Sequence, residues 1–225
     1  MACDPVSNCR EAKSFETDLL GDSLPGDRSV NSKFFAWIDS VGGYLVLLGD
    51  SLVLGQAVPE SNVDIPVLAD IQRRHLLISR SHGDYLIEPF AEVRINDQPV
   101  FGKSLLKHSD RITIGRELNV VFSQPHVLSD SARLDIRSRH RTRPFSDAIL
   151  LMAESCVLGA SADNHVVCPG WSRDVLLFRD GPQIKCRSMQ AFAVNGRFCD
   201  GQAILRPNCR VEGEDFSLSL EQASA

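Results

Sequence analysis

Between residues 54 and 122 short aliphatic and β-branched runs alternate with turn clusters at roughly ten-residue intervals. The runs include Leu54-Gly55-Gln56, Ile65-Pro66-Val67, Leu76-Leu77-Ile78, Tyr85-Leu86-Ile87 and Ile112-Thr113-Ile114. None of them holds the helical period long enough to compete, so the pattern predicts an antiparallel all-β sandwich rather than a βαβ protein. Upstream, Phe34 to Ile38 and Tyr44 to Leu48 read as strands around the turn Val41-Gly42-Gly43, and Gly49-Asp50 announces another turn before Ser51 to Leu54. The first domain is therefore expected over residues 33–126. Residues 1–32, with the turn clusters Gly21-Asp22-Ser23 and Pro25-Gly26-Asp27, are expected to form a flexible tail, partly disordered or carrying a short helix over Arg10 to Leu20.

The pattern breaks at Gln124-Pro125-His126 and then begins again. Ser155-Cys156-Val157-Leu158-Gly159 echoes Ser51-Leu52-Val53-Leu54-Gly55, and Val194-Asn195-Gly196 answers Ile95-Asn96-Asp97. Gly55 and Gly159 stand 104 residues apart, Arg73 and Arg173 100, Asn96 and Asn195 99, and Leu106 and Leu205 99. Such near-constant spacing predicts a tandem repeat, with a second and more divergent β-sandwich over 127–225. The one basic cluster, Arg137 to Pro144, reads as a solvated hairpin loop, since no aromatic interleaving or second basic patch accompanies it.

Composition narrows the function classes. A net charge of -5 supplies no broad positive field for phosphate backbones, and nucleic acid is not an expected partner. The apolar runs are too short to span a bilayer, so no membrane is expected. Asp4 and Glu11 stand where a secretory signal would be basic, which makes the cytoplasm the expected compartment. The seven cysteines are odd in number and lack a Cys-x-x-Cys pair, against a disulfide framework or a zinc ribbon. The nearest pairing of metal-ligand types, His165 with Cys168, is too thin a set for a metal, and no cofactor is expected.

The order of the signals resembles the forkhead-associated (FHA) family, whose pattern runs Gly-Arg, Ser-Arg-x-His, Asn-Gly-Thr-x-x-Asn-Gly and Leu-x-x-Gly-Asp-x-Ile-x-Ile-Gly. Gly55, Arg73, His75, Asn96, Leu106, Asp110, Ile112, Ile114 and Gly115 fall on matching positions in the right order. The resemblance implies two FHA-like β-sandwiches in tandem, a protein or phosphoprotein partner, and a setting of Ser/Thr kinase signalling. In that family the arginine and serine hold a phosphothreonine phosphate, because a dianion in a loop pocket favours a guanidinium fork and hydroxyl donors. Here Gln56 and Gln72 take those two positions, Arg73 is kept and Arg74 is added, while Phe90 and Ala91 fall where the family has its threonine and peptide-clamping asparagine. The second repeat keeps Ser172 and Arg173, has Ala160 and Val175 in place of the arginine and histidine, and brings Gln190 near the clamping position. Gly55, Gly159, His75, Asn96 and Asn195 are expected to be structural, His75 bracing loops and the asparagines shaping turns. Each charge-assisted bond lost costs about 1.5–3 kcal/mol, roughly ten- to over a hundredfold in affinity, so recognition is expected to be weak or lost.

No nucleophile elbow, zincin motif or phosphate loop is present, and the protein is expected to be non-enzymatic. The alternative from another class is a thiol-dependent enzyme or redox sensor that uses one of the cysteines from Cys156 to Cys209.

Overall fold

The computed structural model describes residues 33–126 and 128–223; the expected tail and its helix lie outside them. All regular elements among the described residues are strands, as the period-2 pattern requires. The first half holds β1 (Lys33–Ile38), β2 (Gly42–Leu47), β3 (Ser51–Gln56), β4 (Ile65–Leu68), β5 (Leu76–Ser81) and β6 (Asp84–Pro89). It continues through β7 (Val93–Ile95), β8 (Gln98–Pro99), β9 (Ser104–Leu106), β10 (Arg111–Ile114) and β11 (Leu118–Ser123). The second half holds β12 (Ala132–Ile136), β13 (Arg141–Thr142), β14 (Ala148–Leu151), β15 (Ser155–Gly159), β16 (Val166–Val167) and β17 (Val175–Asp180). It ends with β18 (Gln183–Ser188), β19 (Phe192–Val194), β20 (Arg197–Cys199), β21 (Gln202–Leu205), β22 (Cys209–Glu212) and β23 (Ser217–Gln222).

Three sheets result. The two smaller ones run β13-β4-β3-β5-β6-β9 and β16-β15-β17-β18-β21, the same connection pattern apart from the extra β13. The third is twelve-stranded, in the order β20-β19-β22-β23-β1-β2-β14-β12-β11-β10-β7-β8. Within it the hairpin β1–β2 joins the last strand of the chain: Phe34 pairs with Gln222 and Ile38 with Leu218. Correspondingly β11 pairs with the first strand of the second half, Val120 with Ile136 and Ser123 with Arg133. Each half thus lends its opening hairpin to the sheet built by the closing strands of the other. β2 and β14 meet in parallel at the centre, Tyr44 beside Ala148 through Leu47 beside Leu151.

The exchange explains why Tyr44 to Leu48 and Ala148 to Met152 are unbroken apolar runs. Alternate residues of β2 enter different cores: Tyr44 and Val46 pack with Leu158, Val175 and Leu177, whereas Leu45 and Leu47 pack with Leu52, Leu54 and Ile78. β14 does the same, Leu150 facing the first of these cores and Ile149 and Leu151 the second. A strand covered on both faces loses the apolar–polar alternation of a half-exposed one.

The basic cluster differs from the expected free loop. Arg141 and Thr142 extend the six-stranded sheet by pairing with Leu68 and Val67, and Thr142 is 2% exposed. Arg139 reaches Glu117 at 2.8 Å and Arg137 lies 3.8 Å from Asp135, so the positive charge is partly answered within the chain.

Candidate functional site

The positions implied by the resemblance gather at one end of the first unit. Gln56 closes β3, and its main-chain N–H donates to the Gln72 carbonyl at 3.0 Å. A Cβ on Gly55 would stand 1.9 Å from the Arg73 carbonyl oxygen, so the segment leading into β5 crosses directly over a residue that has to be glycine. Beneath this crossing lies His75, 3% exposed. Its Nδ1 accepts from the Gln72 N–H at 3.1 Å and its Nε2 meets the Glu92 carbonyl at 2.9 Å. A main-chain N–H can only donate and a carbonyl only accept, so the ring is the neutral Nε2–H tautomer. His75 therefore ties the 69–75 loop to the 90–92 loop.

With the main chain fixed, the side chains of Gln72, Arg73 and Arg74 face solvent. Arg73 approaches Glu60 at 3.9 Å with both side chains largely exposed, a weak pairing. The Arg74 guanidinium lies over the Phe90 ring at 5.9 Å from its centroid, which links the same two loops a second time. The Gln56 amide turns inward, donating to the Ala69 carbonyl at 3.4 Å. Chemically this end offers two guanidinium groups and the Gln72 amide on a rigid main chain, beside a half-exposed aromatic ring.

The second unit builds its corresponding end differently. A Cβ on Gly159 would meet not main chain but the Asp174 carboxylate, at 1.9 Å, and Asn164 Nδ2 donates to the same oxygen at 2.9 Å. The ladders correct the expected place of Val175: it pairs with Leu158 as Leu76 pairs with Leu54, so Asp174, one residue before it, stands where the first unit has its bridging histidine. The Ser172 main-chain N–H donates to the Asp215 carboxylate at 2.5 Å, and Gln190 Nε2 donates to the Ser172 hydroxyl at 2.7 Å. The Ser172 hydroxyl and N–H hold the Asp215 carboxyl below the usual carboxylate value, with Gln190 adding to the effect. Ser172 and Gln190 are thus brought together around a carboxylate that belongs to the chain itself, while Arg173 projects into solvent. Asp215 escaped the sequence reading: it lies in the acidic turn Gly213-Glu214-Asp215 between β22 and β23, which carries no motif.

Asn96 and Asn195 lie at the far ends of β7 and β19. Asn96 (φ 50°) and Asp97 (φ 67°) form one two-residue hairpin turn, Asn195 (φ 50°) and Gly196 (φ 77°) the other, both in the left-handed region. Asn96 Nδ2 donates to Asp110 at 2.7 Å and its Oδ1 accepts from the Arg111 N–H at 3.0 Å; Asn195 Oδ1 accepts from the Arg210 N–H at 2.9 Å.

Among the described residues, Cys156, Cys168, Cys186 and Cys209 are buried thiols. Burial pushes Cys156, Cys168 and Cys186 up to about 12, opposite to the shift a nucleophilic thiolate needs. Cys168 Sγ donates to the Val166 carbonyl at 3.7 Å, and His165 Nδ1 accepts from the Val157 N–H at 3.0 Å, so each has a main-chain partner of its own. Burial, with His126 stacked at 5.6 Å, pushes His165 down to about 4. Among the described residues no three metal-ligating side chains cluster.

No family model matches this chain, and no curated protein matches it. Among solved structures it is similar to the FHA domain of Rv0020c, at 22% identity over 40% of this chain and 91% of that one, with a TM-score of 0.24. It is also similar to the N-terminal FHA domain of EssC, a component of the bacterial type VII secretion apparatus, at 10% identity over 85% of this chain and 93% of that one, again with a TM-score of 0.24.

Proposed function

We propose that the chain is a non-catalytic protein–protein interaction module made of two FHA-like units that exchange their opening hairpins. In this reading the first unit meets its partner through the end that carries Gln72, Arg73 and Arg74, in a Ser/Thr kinase signalling setting. The observation that carries it is the Gly55–His75 arrangement: the 72–75 main chain is locked from below while two guanidinium groups point outward. Preorganised, solvent-facing arginines suit a phosphate dianion, and phosphothreonine is the ligand the resemblance implies. Without the hydroxyl and fork that Gln72 and Gln56 replace, the affinity is weak. In the second unit Ser172 is already engaged by Asp215 and Gln190, and that unit serves as scaffold.

The test is a titration of a degenerate phosphothreonine peptide library beside its unphosphorylated twin, with Arg73→Ala as the control. Phosphate-dependent binding that Arg73→Ala removes supports the reading. Equal binding of the two libraries would leave a phosphate-independent interaction scaffold.

A further inference from the structure

The two units differ at the end away from their 72–75 and 172–175 loops. In the first unit that end is filled by Tyr85 and Phe122, 2% and 0% exposed, their ring centroids 5.2 Å apart. The Tyr85 hydroxyl donates to the carbonyls of Asp130 (2.7 Å) and Leu151 (3.2 Å), which seals the space. The ladders identify their counterparts. Tyr85 pairs with Arg80 and Leu106, and Ile184 pairs with Arg179 and Leu205. Val120 pairs with Ile112 and Leu218 with Val211, so Phe122 and Leu220, each two residues on, correspond; they pair in turn with Leu134 and Ala36 on the opening strands. Two aliphatic side chains, Ile184 and Leu220, thus stand where the first unit keeps two rings.

A cleft of about 820 Å³ opens at this place, floored by Phe34, Ile184, Leu205 and Leu220. Its lining includes the cations Lys33, Arg197 and Arg206 and no carboxylate. One wall is β21, the edge of the five-stranded sheet, where Ile204 is 49% exposed. Edge strands carry unpaired main-chain donors and acceptors and accept an added strand. An apolar floor shaped by missing rings, a purely cationic rim and an open edge describe one kind of occupant.

We propose that this cleft receives an aromatic side chain of an acidic partner segment that adds along β21. The ring takes the volume that Tyr85 and Phe122 fill in the other unit, and flanking carboxylates meet Lys33, Arg197 and Arg206. The site is separate from the Arg73 end and does not depend on phosphate recognition there.

The test is calorimetric titration of the full chain with a blocked Glu-Asp-Phe-Asp-Glu peptide, beside the same peptide with alanine for phenylalanine. Binding of the first peptide alone is expected. Arg197→Glu/Arg206→Glu, two surface changes, should weaken it at least about tenfold. Ile184→Tyr/Leu220→Phe, which rebuilds the first unit's ring pair, should abolish it. If that rebuilt variant does not fold, the charge-reversal variant still decides. No binding at millimolar peptide, equal binding of the alanine peptide, or indifference to charge reversal would overturn the proposal. So would a self-association that charge reversal abolishes, which assigns the cleft to a second copy. Tighter peptide binding by Phe15→Ala/Leu19→Ala would likewise overturn it, assigning the cleft to the chain's own N-terminal stretch.

Discussion

The Asp215 carboxylate accepts the main-chain N–H of Ser172 at 2.5 Å, so a turn between two closing strands supplies the anion at the second unit's loop end. The Asp215 carboxyl is held below its usual value, chiefly by the Ser172 hydroxyl and N–H. A lowered folded-state pKa stabilises the fold above the unfolded value, about 4 for an aspartate, and that contribution is lost as pH falls through the folded value. Asp215→Asn is therefore expected to unfold at a lower temperature than the parent at pH 7, with the two melting curves converging as pH drops below about 4. A gap that stays constant down to pH 2 would show that the carboxylate's charge contributes nothing.

His75 satisfies two main-chain groups at once, the Gln72 N–H and the Glu92 carbonyl. His75→Ala leaves both without a partner in a site that is 3% exposed and adds a small cavity. The expected cost is about 2–4 kcal/mol in urea denaturation at neutral pH, together with faster amide exchange at Gln72. A cost under about 0.5 kcal/mol would mean that water replaces the ring and that the two loops need no bridge.

Much of this site could be read from the chain. Period-2 alternation marked the strands, Asn96-Asp97 and Asn195-Gly196 marked hairpin turns, and Gly55 and His75 occupy positions whose residue type the main chain dictates. The hairpin exchange could not be read this way, because β1 and β2 look the same locally whichever closing strand they join. Its one trace was the unbroken apolar character of Tyr44 to Leu48 and Ala148 to Met152, which a single half-exposed sheet does not need. Asp215 was hidden because a carboxylate in a turn has many uses and only its distance to Ser172 selects one. The pairing of Thr142 with Val67 was masked by the arginines around it, whose charge dominates the local pattern.

Gly55 and Gly159 give a matched pair of substitutions. The Cβ of Gly55→Ala would meet the Arg73 carbonyl, which is main chain and has to move with its loop, whereas that of Gly159→Ala would meet the Asp174 carboxylate, which can rotate away. Gly55→Ala is expected to cost about 2 kcal/mol or more and Gly159→Ala about 1 kcal/mol or less in chemical denaturation. Equal costs would contradict the close crossing of the 72–75 segment over β3.

Native alkylation reads the thiols directly. Burial pushes Cys156, Cys168 and Cys186 up to about 12, so their thiolate fraction at pH 8 is small and their access is blocked. Iodoacetamide labelling of these three at pH 8 is expected to be slower in the folded chain than in urea. Fast native labelling of any of them would revive a thiol-based activity.

Leu45 and Val46 are neighbours on β2 that face different cores, 3% and 1% exposed. Because the hairpin belongs to the sheet of one unit and contributes side chains to the other, neither core can melt while β2 stays in place. Calorimetry of the full chain is expected to show one cooperative transition. Leu45→Ala should lower it by about 2–5 kcal/mol and Val46→Ala by somewhat less, both moving the same peak. Two transitions, one moved by Leu45→Ala and the other by Val46→Ala, would show that the units unfold independently and that the β2–β14 ladder does not couple them.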